Sequence, residues 1–338
     1  MDFDLTEDQN EIKRVARELL TSRSPLTKVR AAAQSGEYDQ ALWRELVELG
    51  WTGIAVSDEH GGQGLGAVEL AVLAEELGFA CAATPLITTA TAAAVIQAAG
   101  TSEQQARWLP ALVSGGATAG IGTRELAADA LSADVVVLLD GDQAQLVERP
   151  DATPFQAIDP TRRYATVHGQ GESLSPGAAE RVRAVLAAEV LGVCQRALEM
   201  TLEYVRDRKQ FGVPVGSFQA VAHRCAQMLL CTESVRSAAY FAAWTADADP
   251  DRLAEAAALA SATAVDAGRE VTASAIQAHG GIGFTWEADV HWLYKRAQLD
   301  AALLGSSHRH RAAVARMAAA RTGARIREHG FRSAAGRG

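Results

Sequence analysis

The first 120 residues show the spacing of apolar side chains that is typical of amphipathic helices. Thr6 to Gln9 reads as a capping box, in which each side chain can bind the other's backbone N–H group. An apolar face follows at Ile12, Val15, Ala16, Leu19 and Leu20, and further helical patterns cover residues 42–49, 68–77, 86–99 and 102–113. Residues 1–118 are therefore predicted to form an N-terminal helical domain.

A strand pattern replaces the helical one after Gly116. Residues 133–139 are a β-branched run that ends at a turn, and residues 145–148 and 164–168 suit further strands. Residues 119–173 are therefore predicted to form a shortened middle β-domain of three or four strands. A sheet this small needs a neighbouring layer to cover it.

Helical patterns return at Ser175 and Pro176, which suit an N-cap and a first helical position. A long helix is predicted from there to Arg208. Others are predicted over residues 218–246, 251–277 and 287–299, with a last one starting at Ser306 or Ser307. Residues 174–326 are thus predicted to form a C-terminal helical bundle and residues 327–338 a disordered tail, so the fold class is mainly α.

Composition and charge narrow the classes of function. With 48% hydrophobic and 22% charged residues, the chain is of the soluble globular kind. Its net charge of −9 argues against nucleic-acid binding, because an acidic surface repels a phosphate backbone. The acidic start is unlike a signal peptide, and no apolar run approaches the roughly 20 residues of a membrane helix. A cytoplasmic protein without a membrane contact is expected, and the four cysteines, which lack metal-ligand spacing, are expected to be reduced thiols rather than a metal site.

The first segment that could carry chemistry is Arg-Lys-Gln-Phe-Gly-Val-Pro-Val-Gly-Ser-Phe-Gln at residues 208–219, between two predicted long helices. Gly212 and Pro214 predict a tight bend there. A bend at the end of a bundle can point Arg208 outward, where its guanidinium can bind a phosphate through two hydrogen bonds. The alternative, which the residues alone favour, is an Arg208 that ends a helix and a Phe211 that plugs the core.

The second segment is Gln-Ala-His-Gly-Gly-Ile-Gly-Phe-Thr at residues 277–285. Three glycines in four residues allow a ligand to approach the backbone closely, or the chain to turn through positive φ. The alternative is a plain helix stop followed by a loop. His279 is interpreted as a polar loop residue rather than a base.

Together the two segments resemble the acyl-CoA dehydrogenase family. Residues 208–212 with Phe218 and Gln219 are similar to its Arg-x-x-Phe-Gly…Gln signature, and residues 277–284 to its Gln-x-x-Gly-Gly-x-Gly-Phe/Tyr signature. Residues 59–65 and 159–163 are weaker echoes of the family. The resemblance implies an N-terminal helical domain, a middle β-domain and a C-terminal four-helix bundle.

The resemblance also implies FAD bound across a subunit interface, with both signatures reaching a flavin held mainly by the neighbouring subunit. By this analogy Arg208 pairs with the pyrophosphate, Gln219 binds the adenosine half and Phe211 packs against it. The second signature lines the same phosphates. The implied cofactor-binding residues are Arg208, Phe211, Gln219, Gln277, Gly280 and Gly281.

Two departures from the family pattern concern catalysis. The family removes a proton from the carbon α to a thioester with a carboxylate, while hydride leaves the β-carbon for flavin N5. In many members that carboxylate is a Glu before Gly-Thr/Ser, and here Gly305 and Ser306 match but the Glu position is Leu304. The middle domain is also shorter and lacks the family's loop around the flavin ring. The resemblance therefore implies a chain without a catalytic residue of its own.

A relocated base is an open alternative. Some family members carry the Glu on the helix before the Arg signature, and here that helix offers Glu180 and Glu189. Counting back from Gly192 places Val182 at the expected position, so neither Glu matches it.

These features resemble the short subunit of the two-subunit, α2β2 acyl-CoA dehydrogenases of actinobacteria, which act on CoA thioesters of steroid side chains in cholesterol catabolism. The implied partners are a larger homologue that carries most of the acyl-CoA site and an electron-transfer flavoprotein as acceptor. Two alternatives stay open: a self-sufficient homo-oligomeric dehydrogenase with its base at Glu180 or Glu189, and a non-catalytic scaffold that has lost FAD.

Overall fold

A computed structural model describes the backbone of residues 4–335 and the side chains of residues 4–322. Helices precede and follow one small sheet, which confirms the mainly α fold class with helical N-terminal and C-terminal parts. The helices are α1 (Glu7–Arg23), α2 (Leu26–Ser35), α3 (Gln40–Glu48), α4 (Ala67–Ala80), α5 (Leu86–Ala99), α6 (Ser102–Val113), α7 (Ala178–Asp207), α8 (Gln219–Ala248), α9 (Leu253–Ala278), α10 (Val290–Leu304) and α11 (Ser307–Ala335). The strands are β1 (Ala119–Gly122), β2 (Ala127–Ala128), β3 (Val135–Asp140), β4 (Gln143–Glu148), β5 (Asp151–Pro154), β6 (Ala165–His168), β7 (Glu172–Ser173), β8 (Lys209–Gln210) and β9 (Val213–Pro214).

The N-terminal helices follow the sequence pattern closely. The predicted capping box is confirmed, since the Gln9 N–H donates to Thr6 Oγ1 at 3.2 Å and the Thr6 N–H donates to Gln9 Oε1 at 3.0 Å. Helices α5 and α6 begin and end where the spacing predicts. Helix α2 is missing from the prediction because Val29 is its single buried residue, so it shows no apolar stripe.

Residues 119–173 form one seven-stranded sheet in the order β5-β6-β2-β1-β3-β4-β7. The prediction of three or four strands is wrong because β2 and β7 have two residues each, too few to show an alternating pattern. The long hairpin β3–β4 matches the predicted pair. Val135 and Val137 of β3 pack into the main core, whereas Val136 and Leu138 pack into a second cluster on the other face, so both faces are covered.

Helices α7 to α10 pack into a four-helix bundle, and α11 packs on α9. The N-terminal domain joins this bundle where α4 crosses α7. A Cβ on Gly192 would lie 1.8 Å from the Glu75 carbonyl oxygen, and a Cβ on Gly78 would lie 2.1 Å from that of Glu189. Neither position can hold a side chain, so the two backbones are in direct contact at this crossing.

Helices α7, α10 and α11 have boundaries that differ from the prediction. Helix α7 begins at Ala178 rather than Pro176, because Gly177 turns the chain with a φ of +92°. Helix α10 begins at Val290 with Asp289 in the N-cap position and runs on to Leu304. Helix α11 continues to Ala335 through most of the segment predicted as a disordered tail, and residues 336–338 lie outside the described part of the chain.

In the part of the chain that the structure describes, no helix combines the length and apolar character needed to cross a membrane. All four cysteines are free thiols, and Cys81, Cys194 and Cys225 are buried. Burial raises the pKa of the Cys81 thiol to about 12, so this thiol stays protonated and unreactive at neutral pH.

Candidate functional site

The segment at residues 208–219 folds into a short β-hairpin between α7 and α8. Strands β8 and β9 pair antiparallel, and Phe211 and Gly212 form the turn with φ angles of +52° and +84°. Positive φ at both turn positions is the requirement of a type I′ turn, which Asn-Gly meets most easily. A phenylalanine at the first position carries strain of roughly 1–3 kcal/mol. The strain indicates that the Phe211 ring is used for something other than stabilising this fold.

The ring of Phe211 lies on the surface. It is 94% exposed and contacts Phe218 edge-to-face with 6.2 Å between ring centroids. The alternative in which Phe211 plugs the core is therefore wrong. Arg208 at the start of the hairpin is also exposed, and among residues 4–322 no carboxylate lies within 4.0 Å of its guanidinium. The hairpin thus presents an unpaired cation beside an exposed ring.

The glycines of the second segment have different roles. Gly283 is required by the fold, because a Cβ there would lie 2.3 Å from the Ile276 carbonyl oxygen, and Gly280 has a φ of +64°. Neither requirement applies to Gly281, because its φ lies outside the left-handed region and a Cβ there would meet nothing within 4 Å. A glycine that the fold does not need suits a place where another molecule approaches the backbone closely.

The two segments meet at one end of the bundle. Tyr204, one turn before Arg208, stacks on His279 with ring centroids 4.4 Å apart. One turn into α8, Arg224 Nη1 donates to Ser274 Oγ on α9 at 3.2 Å. His279 is buried, with its Nδ1 2.8 Å from the Ala275 carbonyl oxygen, so it is a packing residue and not the polar loop residue that the sequence suggests.

All the predicted cofactor-binding residues are exposed in the single chain and lie on these two segments: Arg208, Phe211, Gln219, Gln277, Gly280 and Gly281. Two large aromatic residues beside them, Phe284 and Trp286, are 76% and 68% exposed. Guanidinium, amide and backbone N–H donors on an exposed apolar surface suit a ligand that has both phosphates and rings. The surface also has the character of a contact with another protein chain.

The position of the family's carboxylate is apolar and enclosed. Leu304 is the last residue of α10 and is buried, and the next residue, Gly305, turns the chain with a φ of +89°. The ring Nε2 of His310 lies 2.8 Å from the Leu304 carbonyl oxygen and so caps the end of α10. A leucine side chain cannot accept a proton, so no base chemistry is available at this position.

Glu189, one of the two alternative bases, lies in a buried cluster of charges. Its Oε1 accepts hydrogen bonds from Arg162 Nη2 at 2.5 Å and from Arg296 Nη1 at 2.7 Å. Arg296 also donates to Asp159 Oδ2 at 2.8 Å, and Arg162 reaches Asp300 Oδ1 at 3.4 Å. The five residues come from the sheet domain, α7 and α10, and all are almost fully buried. Paired with two guanidiniums, Glu189 is placed to hold the domains together.

The cluster has more carboxylates than cations. Burial, with the neighbouring Glu189 carboxylate, raises the pKa of the Asp300 carboxyl well above its ordinary value, although Arg162 opposes this. Burial also acts on Asp159, but Arg296 and the Thr161 hydroxyl outweigh it and lower the pKa of that carboxyl. Of these two aspartates, Asp300 is therefore the one that takes up a proton more readily.

Glu180, the other alternative base, lies in the first turn of α7. It is buried, with its Oε1 4.0 Å from Arg183 Nη1, and burial raises the pKa of its carboxyl. Arg183 in turn donates to Asp142 Oδ1 at 3.1 Å on the β3–β4 turn. Because a raised pKa is typical of a general base, Glu180 is a residue to test by substitution.

The charge cluster shows what the sequence alone does not reveal. Residues 159–163 give only a weak family echo, and Arg296 and Asp300 look like the polar face of α10. The one available sign is their spacing of four, which places an Arg and an Asp on the same face of the helix. Nothing in the sequence shows that their partners lie more than a hundred residues away.

The two ends of the chain match models of known domains. Residues 6–116 match the acyl-CoA dehydrogenase N-terminal domain, and residues 169–319 match the acyl-CoA dehydrogenase C-terminal domain. The chain is 36% identical to the acyl-CoA dehydrogenase IpdE2 of Mycobacterium tuberculosis over 89% of its own length and 94% of that protein. It is 32% identical to the acyl-CoA dehydrogenase FadE34 of the same organism, over 90% of its own length but 47% of that protein.

Solved structures share the fold. A variant of the Tcur3481-Tcur3483 steroid ACAD aligns with a TM-score of 0.83 and 26% identity, over 94% of this chain and 99% of that one. The ChsE4-ChsE5 complex from Mycobacterium tuberculosis gives the same TM-score at 23% identity, which shows the fold alone. With both terminal domains matched and a relative more than 30% identical along nearly the whole chain, this protein belongs to the acyl-CoA dehydrogenase family of oxidoreductases.

Proposed function

We propose that this chain is the base-less subunit of a heterotetrameric, FAD-dependent acyl-CoA dehydrogenase. In this proposal it lends Arg208, Gln219 and Gln277 to a flavin held mainly by a larger homologous subunit. The flavin supplies the hydride acceptor, and the partner supplies the carboxylate and most of the acyl-CoA site. The reaction is α,β-desaturation of an acyl-CoA, with an electron-transfer flavoprotein as the acceptor.

One observation carries the proposal: the residues that the family analogy assigns to the cofactor are present and exposed, while the base position is filled by a buried Leu304. A chain that used these residues for its own flavin would need a base within reach of the substrate. Arg208 instead faces outward with an unpaired guanidinium, and Gly281 is open to approach from outside. A surface of this kind suits a second chain that brings the rest of the cofactor.

A self-sufficient enzyme is the second candidate function, and it would need a base that the substrate can reach. Glu189 is held by Arg162 and Arg296 in the buried cluster, so it has no free approach to a substrate carbon. Glu180 is buried beside Arg183 at the junction with the sheet. The third candidate is a scaffold that has lost FAD. The strained and exposed Phe211 argues against it, because a chain that binds nothing at this end would not need such a residue there.

The substrate class in this proposal rests on relatives. The solved Tcur3481-Tcur3483 structure is described as a steroid ACAD, and it aligns with 94% of this chain. We therefore take CoA thioesters of steroid side chains, in cholesterol catabolism, as the substrates of the assembled enzyme. The larger subunit would set the choice of acyl group.

Co-expression tests the proposed function. We expect this chain, purified alone, to be colourless, and the chain co-expressed with a larger homologue to form a yellow complex that oxidises acyl-CoA. Absorbance of the flavin, sedimentation and dye-coupled activity measure the three properties. A chain that purifies yellow by itself and oxidises acyl-CoA would overturn the proposal. Glu180→Gln in the complex is the control for a relocated base, and we expect it to keep full activity.

Phe211 gives a prediction in which stability and cofactor binding change in opposite directions. Replacing it by asparagine, as F211N, puts a residue suited to positive φ in the turn, so we expect the chain to gain about 1 kcal/mol of unfolding free energy. The complex should nevertheless lose flavin more easily, because the ring no longer packs against the adenosine half. Urea denaturation and flavin release on dilution measure the two effects. A variant that loses stability would contradict the strain assigned to this turn.

A further inference from the structure

A second cluster lies next to the glycine segment and is not explained by the flavin contacts. Trp286 follows that segment directly, and His291, Trp292 and Lys295 face it from the first turns of α10. The ring centroids of Trp286 and His291 are 4.9 Å apart, and those of His291 and Trp292 are 4.3 Å apart. These four residues are called the Lys295 socket below.

The cation of the socket forms no salt bridge with any described residue. Lys295 Nζ lies 4.2 Å from the ring centroid of Trp286 and 4.6 Å from that of Trp292. Among residues 4–322 no carboxylate comes within 4.0 Å of it. Asp289, close to it in sequence, is already engaged: it accepts from Arg30 Nη2 at 2.6 Å and from Trp292 Nε1 at 3.2 Å. Burial lowers the pKa of the Lys295 ammonium and outweighs the opposing effect of the Asp159 carboxylate.

The imidazole of the socket is also without partners. Both ring nitrogens of His291 are buried and make no hydrogen bond within the described part of the chain. Buried polar atoms are rarely left this way in a folded protein. The socket therefore holds an unpaired ammonium and an unpaired imidazole, beside an indole that is 68% exposed.

The properties of the occupant follow from these groups. It must bring an anion, because an ammonium held against two indoles gains most from one, and the anion that an unmodified protein side chain offers is a carboxylate. It must also cover the apolar faces of Trp286 and the nearby Phe284, which a small inorganic anion cannot do. The socket adjoins the glycine segment, which in the proposed function faces the larger subunit. A side chain of that subunit, with apolar neighbours around it, meets each requirement.

We infer that the Lys295 socket receives an Asp or Glu side chain of the larger subunit, and that this contact holds the two unlike chains together. The inference rests on the proposed function, and it adds a contact for assembly that is separate from the flavin contacts. The carboxylate accepts a hydrogen bond from Lys295, and its neighbours cover the exposed indole.

The test measures the dissociation constant of the complex by sedimentation, with this chain changed at Lys295. Lys295→Met keeps most of the apolar stem and removes the charge, and we expect the dissociation constant to rise about tenfold or more. Lys295→Glu should weaken assembly further, and Lys295→Arg should restore it. Arg44→Glu, an exposed charge reversal on α3, is the matched control and should change nothing. Circular dichroism of each full-length variant checks that it is folded.

The partner side is identified by rescue. Each Asp or Glu of the larger subunit is changed to Lys and combined with Lys295→Glu, and one of them should restore assembly. Unchanged dissociation constants for both Lys295→Met and Lys295→Glu would overturn the inference, even if the complex is yellow and active. Failure of the unaltered chain to form any complex would instead overturn the proposed function. Full assembly of Lys295→Met with flavin lost would mean that the socket serves the cofactor rather than the partner, and would also overturn the inference.

Discussion

Replacing Arg208 by alanine is expected to strip most of the flavin from the assembled complex while leaving the two chains together. A hydrogen bond to a charged group contributes ~1.5–3 kcal/mol, so the dissociation constant for FAD should rise roughly ten- to hundredfold. The guanidinium is exposed and has no carboxylate partner among the described residues, so its removal costs the fold nothing. Flavin absorbance of the purified complex, followed by titration with FAD, measures the effect.

Arg206→Ala is the matched control for this experiment. Arg206 lies two residues earlier at the end of α7, its side chain is 73% exposed, and it pairs with the adjacent Asp207. We expect it to leave the flavin content unchanged. An Arg208→Ala complex that keeps all its flavin would remove the phosphate contact from the proposed function and favour a scaffold that does not use FAD.

Replacing Arg296 by methionine is expected to destabilise the chain strongly. Arg296 donates to Asp159, Glu189 and the Thr161 hydroxyl, and all these groups are buried. Removing one partner of a buried ion pair leaves an uncompensated charge and costs about 3–5 kcal/mol. The free energy of unfolding, from urea denaturation of the full chain, should fall by that amount.

Two further variants serve as a control and as a comparison for Arg296→Met. Arg206→Met makes the same change on an exposed arginine and should alter the unfolding free energy by less than about 0.5 kcal/mol. Glu189→Gln keeps an oxygen that can accept the hydrogen bonds of both Arg162 and Arg296, and we expect it to lower stability less than Arg296→Met does. If Glu189→Gln left stability intact and abolished turnover in the complex, Glu189 would be a base and its structural role would be wrong.

Most of the fold could be predicted from local sequence. The capping box at Thr6 and the apolar spacing of α5 and α6 are set by neighbouring residues, so their bounds follow from the chain itself. The number of strands in the sheet could not be predicted from local sequence. Strands of two residues such as β2 and β7 are fixed by pairing with distant strands, and they have no periodicity of their own.

Part of the candidate site could also be predicted from local sequence. Arg208, Gln219 and Gln277 lie in segments whose residue order resembles a family signature, so they could be named without a structure. The strain at Phe211 and the exposure of its ring could not be predicted, because they depend on its backbone angles and on its position on the surface. The Lys295 socket is invisible in the sequence, because a lysine near two tryptophans becomes an unpaired cation only when the surrounding carboxylates are seen to be engaged elsewhere.

The exposed aromatic rings of Phe211, Phe284 and Trp286 have a consequence for how the protein is produced. In the proposed complex the larger subunit covers this apolar surface, so a copy made without it would expose the surface to chaperones and proteases, and excess copies would aggregate. Balanced synthesis of the two proposed chains would avoid that loss. Neighbouring reading frames translated from one message would give such a balance.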